Sequence, residues 1–279
     1  MSLVSVVIPV FNQADYTRRC LESLARVRAS DPDREILVVD NGSTDSTQEL
    51  LRGECERDRE LRVLRSEKNE GFSRGCNLGA AQARGPWILF LNNDTEVVPG
   101  WLTPLVEVLQ EDPEVVAVGS RLLFPDGKLQ HAGVLIANVE GRDPLFAFHP
   151  FERERADHPV AMQRRTYQAL TAACLLVRRD AFDAVGGFDE GYWNGYEDVD
   201  LCFKLRERGG ILVYEPRSVV IHHTSKSGPE RWKAKSENIR RLHSRWLGKV
   251  MPDLTVDRAG NARDNQAGAV APYRVAAAR

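Results

Sequence analysis

Val4–Val10 reads VSVVIPV and Ile36–Asp45 reads ILVVDNGSTD, and these two stretches decide the fold class. Each begins as a short β-branched run that is apolar at nearly every position, the pattern of a strand buried on both faces, as in parallel sheets. Between them Tyr16, Cys20, Leu24 and Val27 recur at helical spacing from Asp15 to Arg28, so a helix joins the two strands. The unit then repeats. Ser46 with Glu49 resembles a capping box opening a second helix, Leu61 to Leu64 is a third strand, and Ser73 to Arg84 a third helix. Trp87 to Leu91 (WILFL) is a fourth strand, Trp101 to Gln110 carries Leu102, Leu105, Val106 and Leu109 on one helical stripe, and Val115 to Val118 is a fifth strand. Such alternation predicts an α/β fold with a mostly parallel central sheet flanked by helices.

Beyond residue 120 the alternation loosens. Pro125 to Lys128 is a turn signal, and residues 138–168 have no period and read as a long loop or lid. Leu170 to Arg178, a short helix at Asp180 to Val185, a helix at Asp198 to Arg208, and strands at Ile211 to Tyr214 and Val219 to Ile221 follow. The expected organisation is a domain over 1–225, with halves 1–119 and 120–225, then a basic helix within 226–250 and a flexible tail over 251–279.

The chain has 279 residues, 42% hydrophobic and 28% charged, which excludes both a disordered chain and a membrane bundle. With 38 basic against 40 acidic side chains it has no global field to attract nucleic acid. No apolar stretch approaches the length of a membrane span, and Met1-Ser2 leads directly into a strand, so a cytoplasmic location is expected. The five cysteines (Cys20, Cys55, Cys76, Cys174, Cys202) form no CxxC pair and read as reduced packing residues.

In open α/β sheets ligands bind outside the carboxyl ends of the strands. Those ends here carry Pro9-Val10-Phe11-Asn12, the run from Asp40 to Asp45, and Asn92-Asn93-Asp94. Each cluster alone also fits a turn or helix cap. No GxGxxG follows the first strand and no GxxxxGK[ST] occurs, so a pyrophosphate here needs another partner. A divalent cation bridging Asp94 and phosphate oxygens supplies one. His222 or His223, at the end of a later strand, provides a second ligand, and imidazole beside carboxylate suits manganese better than calcium. Glu197 and Asp198 open a helix, where acids are favoured for structural reasons alone. They follow Tyr192, Trp193 and Tyr196, and a carboxylate beside aromatic faces also suits a stacked sugar hydroxyl awaiting a general base.

Over residues 3–225 these segments, in this order, resemble the family 2 glycosyltransferases of the GT-A fold, in particular a rhamnosyltransferase-like subgroup. VSVVIPVFN resembles the family's first strand and nucleotide-contacting turn, and VVDNGSTD the segment whose first Asp, here Asp40, contacts the base. NEGFSRGCN resembles the third donor-binding segment, implying roles around the nucleoside for Asn69, Gly71, Phe72 and Asn77. LFLNNDT resembles the metal-binding DxD element, but Asn92 and Asn93 leave Asp94 as its only carboxylate. GGFDEGYWNGYEDVDLCFKLRERG resembles the acceptor-side block with its Glu197-Asp198 pair, whose second acid most often serves as base, and VVIHHTSKSG the segment supplying a metal-binding His, carried to His222 before His223.

The resemblance implies an inverting transferase using manganese or magnesium. Its donor would be a UDP- or dTDP-sugar, with a lean toward dTDP-rhamnose, and its acceptor a saccharide or lipid-linked saccharide of cell-surface polysaccharide. Gln130-His131 resembles a segment of rhamnosyltransferase-like relatives that lines the acceptor side, while Arg164 and Arg165 are candidates for added charge near the diphosphate.

Two other classes compete. Gly71-Phe72-Ser73-Arg74-Gly75 matches GxSxG, with Asp198 and His222 following in the order of α/β-hydrolases, although the polar run Ser66 to Glu70 separates it from the preceding strand. A non-catalytic nucleotide-sugar-binding module is the other. Residues 230–249 carry seven Lys/Arg against Glu230 and Glu237, with Trp232, Ile239, Leu242 and Trp246 near one face. That helix either rests on anionic lipid or docks its tryptophans on the domain. No aromatic-interleaved basic groove accompanies it, so nucleic acid is not an expected partner.

Overall fold

The computed structural model describes residues 3–58, 60–224 and 233–265. The first half runs β1 (Val4–Val10), α1 (Ala14–Val27), β2 (Arg34–Asp40), α2 (Thr47–Arg57), β3 (Leu61–Arg65), α3 (Phe72–Gln82), β4 (Trp87–Leu91), β5 (Thr95–Val97), α4 (Thr103–Glu111) and β6 (Val115–Leu123). It continues through β7 (Leu129–His131), β8 (Leu135–Val139), β9 (Asp143–Phe148), β10 (Arg165–Thr166), β11 (Cys174–Arg178), α5 (Arg179–Ala184) and α6 (Glu197–Glu207). Then come β12 (Ile211–His222), α7 (Lys235–Trp246), β13 (Leu254–Val256) and β14 (Ala262–Asp264).

The main sheet has the order β10-β12-β6-β11-β4-β1-β2-β3, with β5 and β7 appended to β12 and β6. β3, β2, β1 and β4 are mutually parallel, β11 is inserted antiparallel between β4 and β6, and β12 runs parallel to β6. The α/β expectation holds, and the apolar runs are explained by burial on both faces. Val4, Val6, Ile8 and Val10 of β1 pack toward α1, α2 and α4, while Val7 packs toward α3, α5, α6 and α7. Gly79 lets α3 lie against β1, since a Cβ there would stand 2.3 Å from Val7 Cγ1. Four of the five cysteines are buried and all are free; burial pushes the Cys20, Cys174 and Cys202 thiols up to about 12, as inert packing groups require.

Several expectations are corrected. α2 begins at Thr47, whose N–H is capped at 3.0 Å by Asp45 Oδ1, and Ser46 makes no side-chain cap. The two strands expected at 211–221 are one, β12, whose register shifts between Glu215 and Val219. The 138–168 loop contains the end of β8, all of β9, and β10. The segment expected as a flexible tail is ordered as far as residue 265, and residues 266–279 lie outside the described residues. β13 pairs in parallel with β8, completing a second sheet of order β14-β13-β8-β9, and buried Asp253 accepts the Ile136 N–H at 2.8 Å. Three-residue strands carry little periodic signal of their own, and β13 and β14 are strands because β13 pairs with β8 and β14 with β13.

Of the basic helix, residues 230–232, with Trp232, lie outside the described residues. Its remainder, α7, docks on the domain. Trp246 is buried against Phe203 at a centroid distance of 5.4 Å and donates Nε1–H to Asp200 Oδ1 at 2.7 Å. Arg241 and Arg245 pair with Asp189, and Lys249 with Glu207, so acids of the domain neutralise much of the positive face. Trp246→Ala is expected to destabilise the fold by about 3–5 kcal/mol, the usual consequence of emptying a buried aromatic site. Urea unfolding followed by far-UV circular dichroism measures it.

Candidate active site

The turns at the carboxyl ends of β1, β2 and β4 open into one cleft of about 540 Å³. Pro9, Val10 and Phe11 line it after β1, Asn41 after β2, and Asn92, Asn93 and Asp94 after β4. The far wall is formed by Trp193 to Val199 at the start of α6, by the end of β9, and by the first turns of α7.

His222, the last residue of β12, reaches the turn after β4. Its Nε2 lies 3.1 Å from Asp94 Oδ1 and 3.4 Å from Asn92 Nδ2. Gln130 of β7 assigns the tautomer. Its Nε2 donates to the His222 carbonyl at 3.0 Å, leaving Oε1 to accept from His222 Nδ1 at 2.6 Å. Nδ1 therefore carries a proton, and Nε2 faces the Asp94 carboxylate. Asn92 Oδ1 is buried in the same turn and accepts no hydrogen bond among the described residues.

An imidazole nitrogen facing a carboxylate, with a buried and unpartnered amide oxygen in the same turn, suits a divalent cation that takes mixed oxygen and nitrogen ligands. Among the described residues no three His, Cys, Asp or Glu side chains form a metal cluster, so a cation here would complete its shell with oxygens from a ligand or water. His223 is directed elsewhere, with Nε2 2.8 Å from Glu96 Oε1 and its ring 5.2 Å from that of Tyr16. Asn93 is also turned aside, its Nδ2 donating to Thr17 Oγ1 at 2.9 Å.

Across the cleft, Asp198 occupies the first turn of α6. Its Oδ2 accepts the Ala172 N–H at 3.2 Å and its Oδ1 the Val199 N–H at 2.9 Å, so two backbone donors fix the carboxylate at the helix N-terminus. Glu197 is buried, and its Oε2 accepts the Gly195 N–H, which folds it back into its own loop. The loop enters α6 through Tyr196, whose φ of 70° is left-handed. Burial pushes the Tyr196 phenol up to about 12, so it remains a neutral donor.

The two walls also touch. Phe72 N donates to the Trp193 carbonyl at 3.4 Å, and Gly71, at φ 89°, lies so close that a Cβ would come within 3.1 Å of that oxygen. Asn41 and Asn69 shape this segment: Asn41 Nδ2 donates to the Gly71 carbonyl at 2.9 Å, and Asn69 Oδ1 accepts the Gly71 N–H at 3.0 Å.

The profile of glycosyl transferase family 2 matches residues 5–186, which include every strand-end segment of the cleft from β1 through β4. The chain belongs to glycosyl transferase family 2. It is 38% identical over 80% of its length to O-antigen biosynthesis protein RfbC of Myxococcus xanthus, of whose length it spans only 17%. It is 30% identical to the N-acetylglucosaminyl-diphospho-decaprenol L-rhamnosyltransferase of Mycobacterium tuberculosis, over 81% of this chain and 77% of that one. Among solved structures it shares its fold with a mannosyltransferase of Pyrobaculum calidifontis, in complex with GDP-Man and Mn2+. That match has a TM-score of 0.64 at 17% identity, over 89% of this chain and 65% of the other. The fold is GT-A.

Within this family 2 chain the predicted residues divide. Pro9, Val10, Phe11, Asn69, Gly71, Phe72, Asn92, Asn93, Asp94, Trp193, Tyr196, Glu197, Asp198 and His222 all line the cleft. Asn12, Asp40, Asn77 and Tyr192 are not among its lining residues. Asp40 is buried beneath the floor, paired with Arg65 and accepting the Ser43 N–H at 2.8 Å. Asn12 joins the turns after β1 and β2, its Oδ1 accepting the Thr44 N–H at 2.8 Å. Asn77 ties α3 to the chain at Phe188 through both its amide atoms. Tyr192 is only 1% exposed and directs its hydroxyl to Asp200, so it offers no face to a sugar.

Arg164 is held by Glu111 and Glu215, and Arg165 Nη2 donates to Gln163; neither lines the cleft. Ser73 lies inside α3, 1% exposed, with its hydroxyl directed to the Tyr192 carbonyl, which removes the hydrolase alternative.

The Gln130-His131 segment expected on the acceptor side lines the cleft, but sequence reasoning missed two features, the partner of His131 and the first turns of α7. His131 and His149 share a hydrogen bond, Nδ1 to Nδ1 at 2.9 Å, and burial holds both below the usual imidazole range. No spacing signals that pair. Lys235 and Asn238, from the helix read only for its charge and tryptophans, also line the cleft.

Proposed function

We propose that this chain transfers a sugar, with inversion, from a nucleoside-diphosphate donor to a saccharide or lipid-linked saccharide in cell-surface polysaccharide synthesis. The donor is a UDP- or dTDP-sugar, with dTDP-rhamnose preferred. One observation carries the reading: a single cleft presents the Asp94, His222 and Asn92 donor set on one wall and the Asp198 carboxylate at a helix N-terminus on the other. The similarity to a rhamnosyltransferase acting on a diphospho-decaprenol substrate supports the choice of sugar and acceptor.

In this reading Asp94 and His222, with the Asn92 amide beside them, would hold manganese or magnesium. The cation supplies positive charge near the departing diphosphate. Phe72, Asn69 and the turn after β1 place the nucleoside, while Trp193 and Tyr196 offer aromatic faces to the acceptor. Asp198 accepts the proton of the acceptor hydroxyl as its oxygen attacks the anomeric carbon from the face opposite the diphosphate.

Thermal melting with UDP, dTDP or GDP, each with and without manganese, tests donor binding, because a ligand of the folded state raises its stability. Metal-dependent stabilisation by one nucleotide, followed by turnover of the matching sugar, is the expected result. Binding without turnover on any acceptor would favour the non-catalytic module. Gln130→Ala frees the tautomer of His222, and the affinity for manganese in the presence of the nucleotide, measured by calorimetry, is expected to fall about 10–100-fold.

A further inference from the structure

Asn238 lies on the inner face of α7, far along the chain from the segments that form the cleft, and is 1% exposed. Its side chain bonds three consecutive residues of the loop before α6. Nδ2 donates to the carbonyls of Asn194 at 3.2 Å and Gly195 at 2.9 Å, and Oδ1 accepts the Trp193 N–H at 3.4 Å. These residues cannot satisfy one another as a regular element, because Gly195 and Tyr196 have φ of 108° and 70°. Such a left-handed entry persists only where its surroundings hold it. One residue further on, Glu197 and Asp198 begin α6.

α7 is itself fixed at its other end, where Trp246 and Arg245 meet Asp200 on α6. The helix therefore grips α6 at two points, once through Asp200 and once through the loop that leads into it.

We propose that Asn238 is a positioning residue for sugar transfer: it holds the 193–195 run so that Trp193, Tyr196 and Asp198 keep their places on the acceptor wall. The inference rests on the transferase reading above. Phe72 holds the same loop from the donor side through the Trp193 carbonyl, and Asn238 is a further clamp on it. A carboxylate displaced by a fraction of an ångström loses its alignment with the acceptor hydroxyl, whereas the cation and nucleotide contacts at the β1 and β4 turns are unaffected.

The test compares Asn238→Leu, which keeps the branched shape but loses all three bonds, with Asn238→Ser, which keeps one hydrogen-bonding group. Leu242→Ala serves as a control that loosens α7 without touching the loop; Leu242 is fully buried on the same helix. Three quantities are read: manganese-dependent dTDP binding, kcat with dTDP-rhamnose and an N-acetylglucosaminyl-diphospho-prenol acceptor, and the melting temperature. Asn238→Leu is expected to lower kcat about a hundredfold with dTDP binding unchanged, as misplacement of catalytic groups does. Asn238→Ser should fall between it and the wild type, and Leu242→Ala should lower the melting temperature while kcat stays near the wild-type value.

A folded Asn238→Leu protein with wild-type kcat overturns the inference, as does an equal loss of kcat in Leu242→Ala at the same loss of melting temperature. If Asn238→Leu does not fold, Asn238→Ser decides, and wild-type kcat there overturns it. A wild-type protein that neither binds dTDP with manganese nor turns over any donor would instead remove the transferase reading, and the inference with it.

Discussion

Asp198→Asn is expected to lower sugar transfer about a hundred- to ten-thousandfold, the range for loss of a general base, while nucleoside-diphosphate binding persists. The substitution keeps shape and removes only the charge and the proton acceptor. The Asn carbonyl can still accept the Val199 or Ala172 N–H that Asp198 binds now, so α6 keeps its first turn. Donor binding persists because the turns after β1 and β4 belong to the other wall of the cleft. The measurement is kcat with the donor identified by thermal melting, beside the nucleotide's dissociation constant. Near wild-type turnover would reject Asp198 as base. Glu197→Gln gives the contrast: Glu197 is folded back onto the Gly195 N–H, so its loss should act through the loop and more weakly.

Asp94→Asn should abolish metal-dependent donor binding. Asp94 is the only carboxylate in the Asn92-Asn93-Asp94 triplet, and its replacement leaves His222 and neutral amides to face a doubly charged cation. Manganese-dependent stabilisation by saturating nucleotide, about 2.7 kcal/mol at a hundred times the dissociation constant, should then vanish. Undiminished stabilisation would show that the cation binds elsewhere. His223→Ala is the matched control, because His223 is engaged with Glu96 and should leave the metal response intact.

The positions of these residues were legible to different degrees, for physical reasons. A strand buried on both faces must be apolar at every position, so β1, β2 and β4 announce themselves, and with them the turns at their carboxyl ends. The segments of residues 120–265 do not. β8, β9, β13 and β14 are only three to six residues long, and they are strands because of the neighbour they pair with rather than their own periodicity. The tryptophans of the basic helix suggested docking or membrane contact, and Trp246 docks because Asp200 on α6 meets it and Arg245.

The sequence by itself determined the parallel α/β core, its family, and the set of acids, amides and histidines that converge at the strand ends, because these depend on local periodicity and on order along the chain. Only the tertiary structure decided among chemically equivalent neighbours. It turns His222 toward Asp94 and Gln130, 92 residues away, and His223 toward Glu96, and it directs Asp198 to the Ala172 N–H and Glu197 back to the Gly195 N–H. It withdrew Tyr192 from the cleft and brought Asn238 to its wall. Adjacent side chains of like chemistry differ only in what they face, and what they face comes from segments distant in the chain.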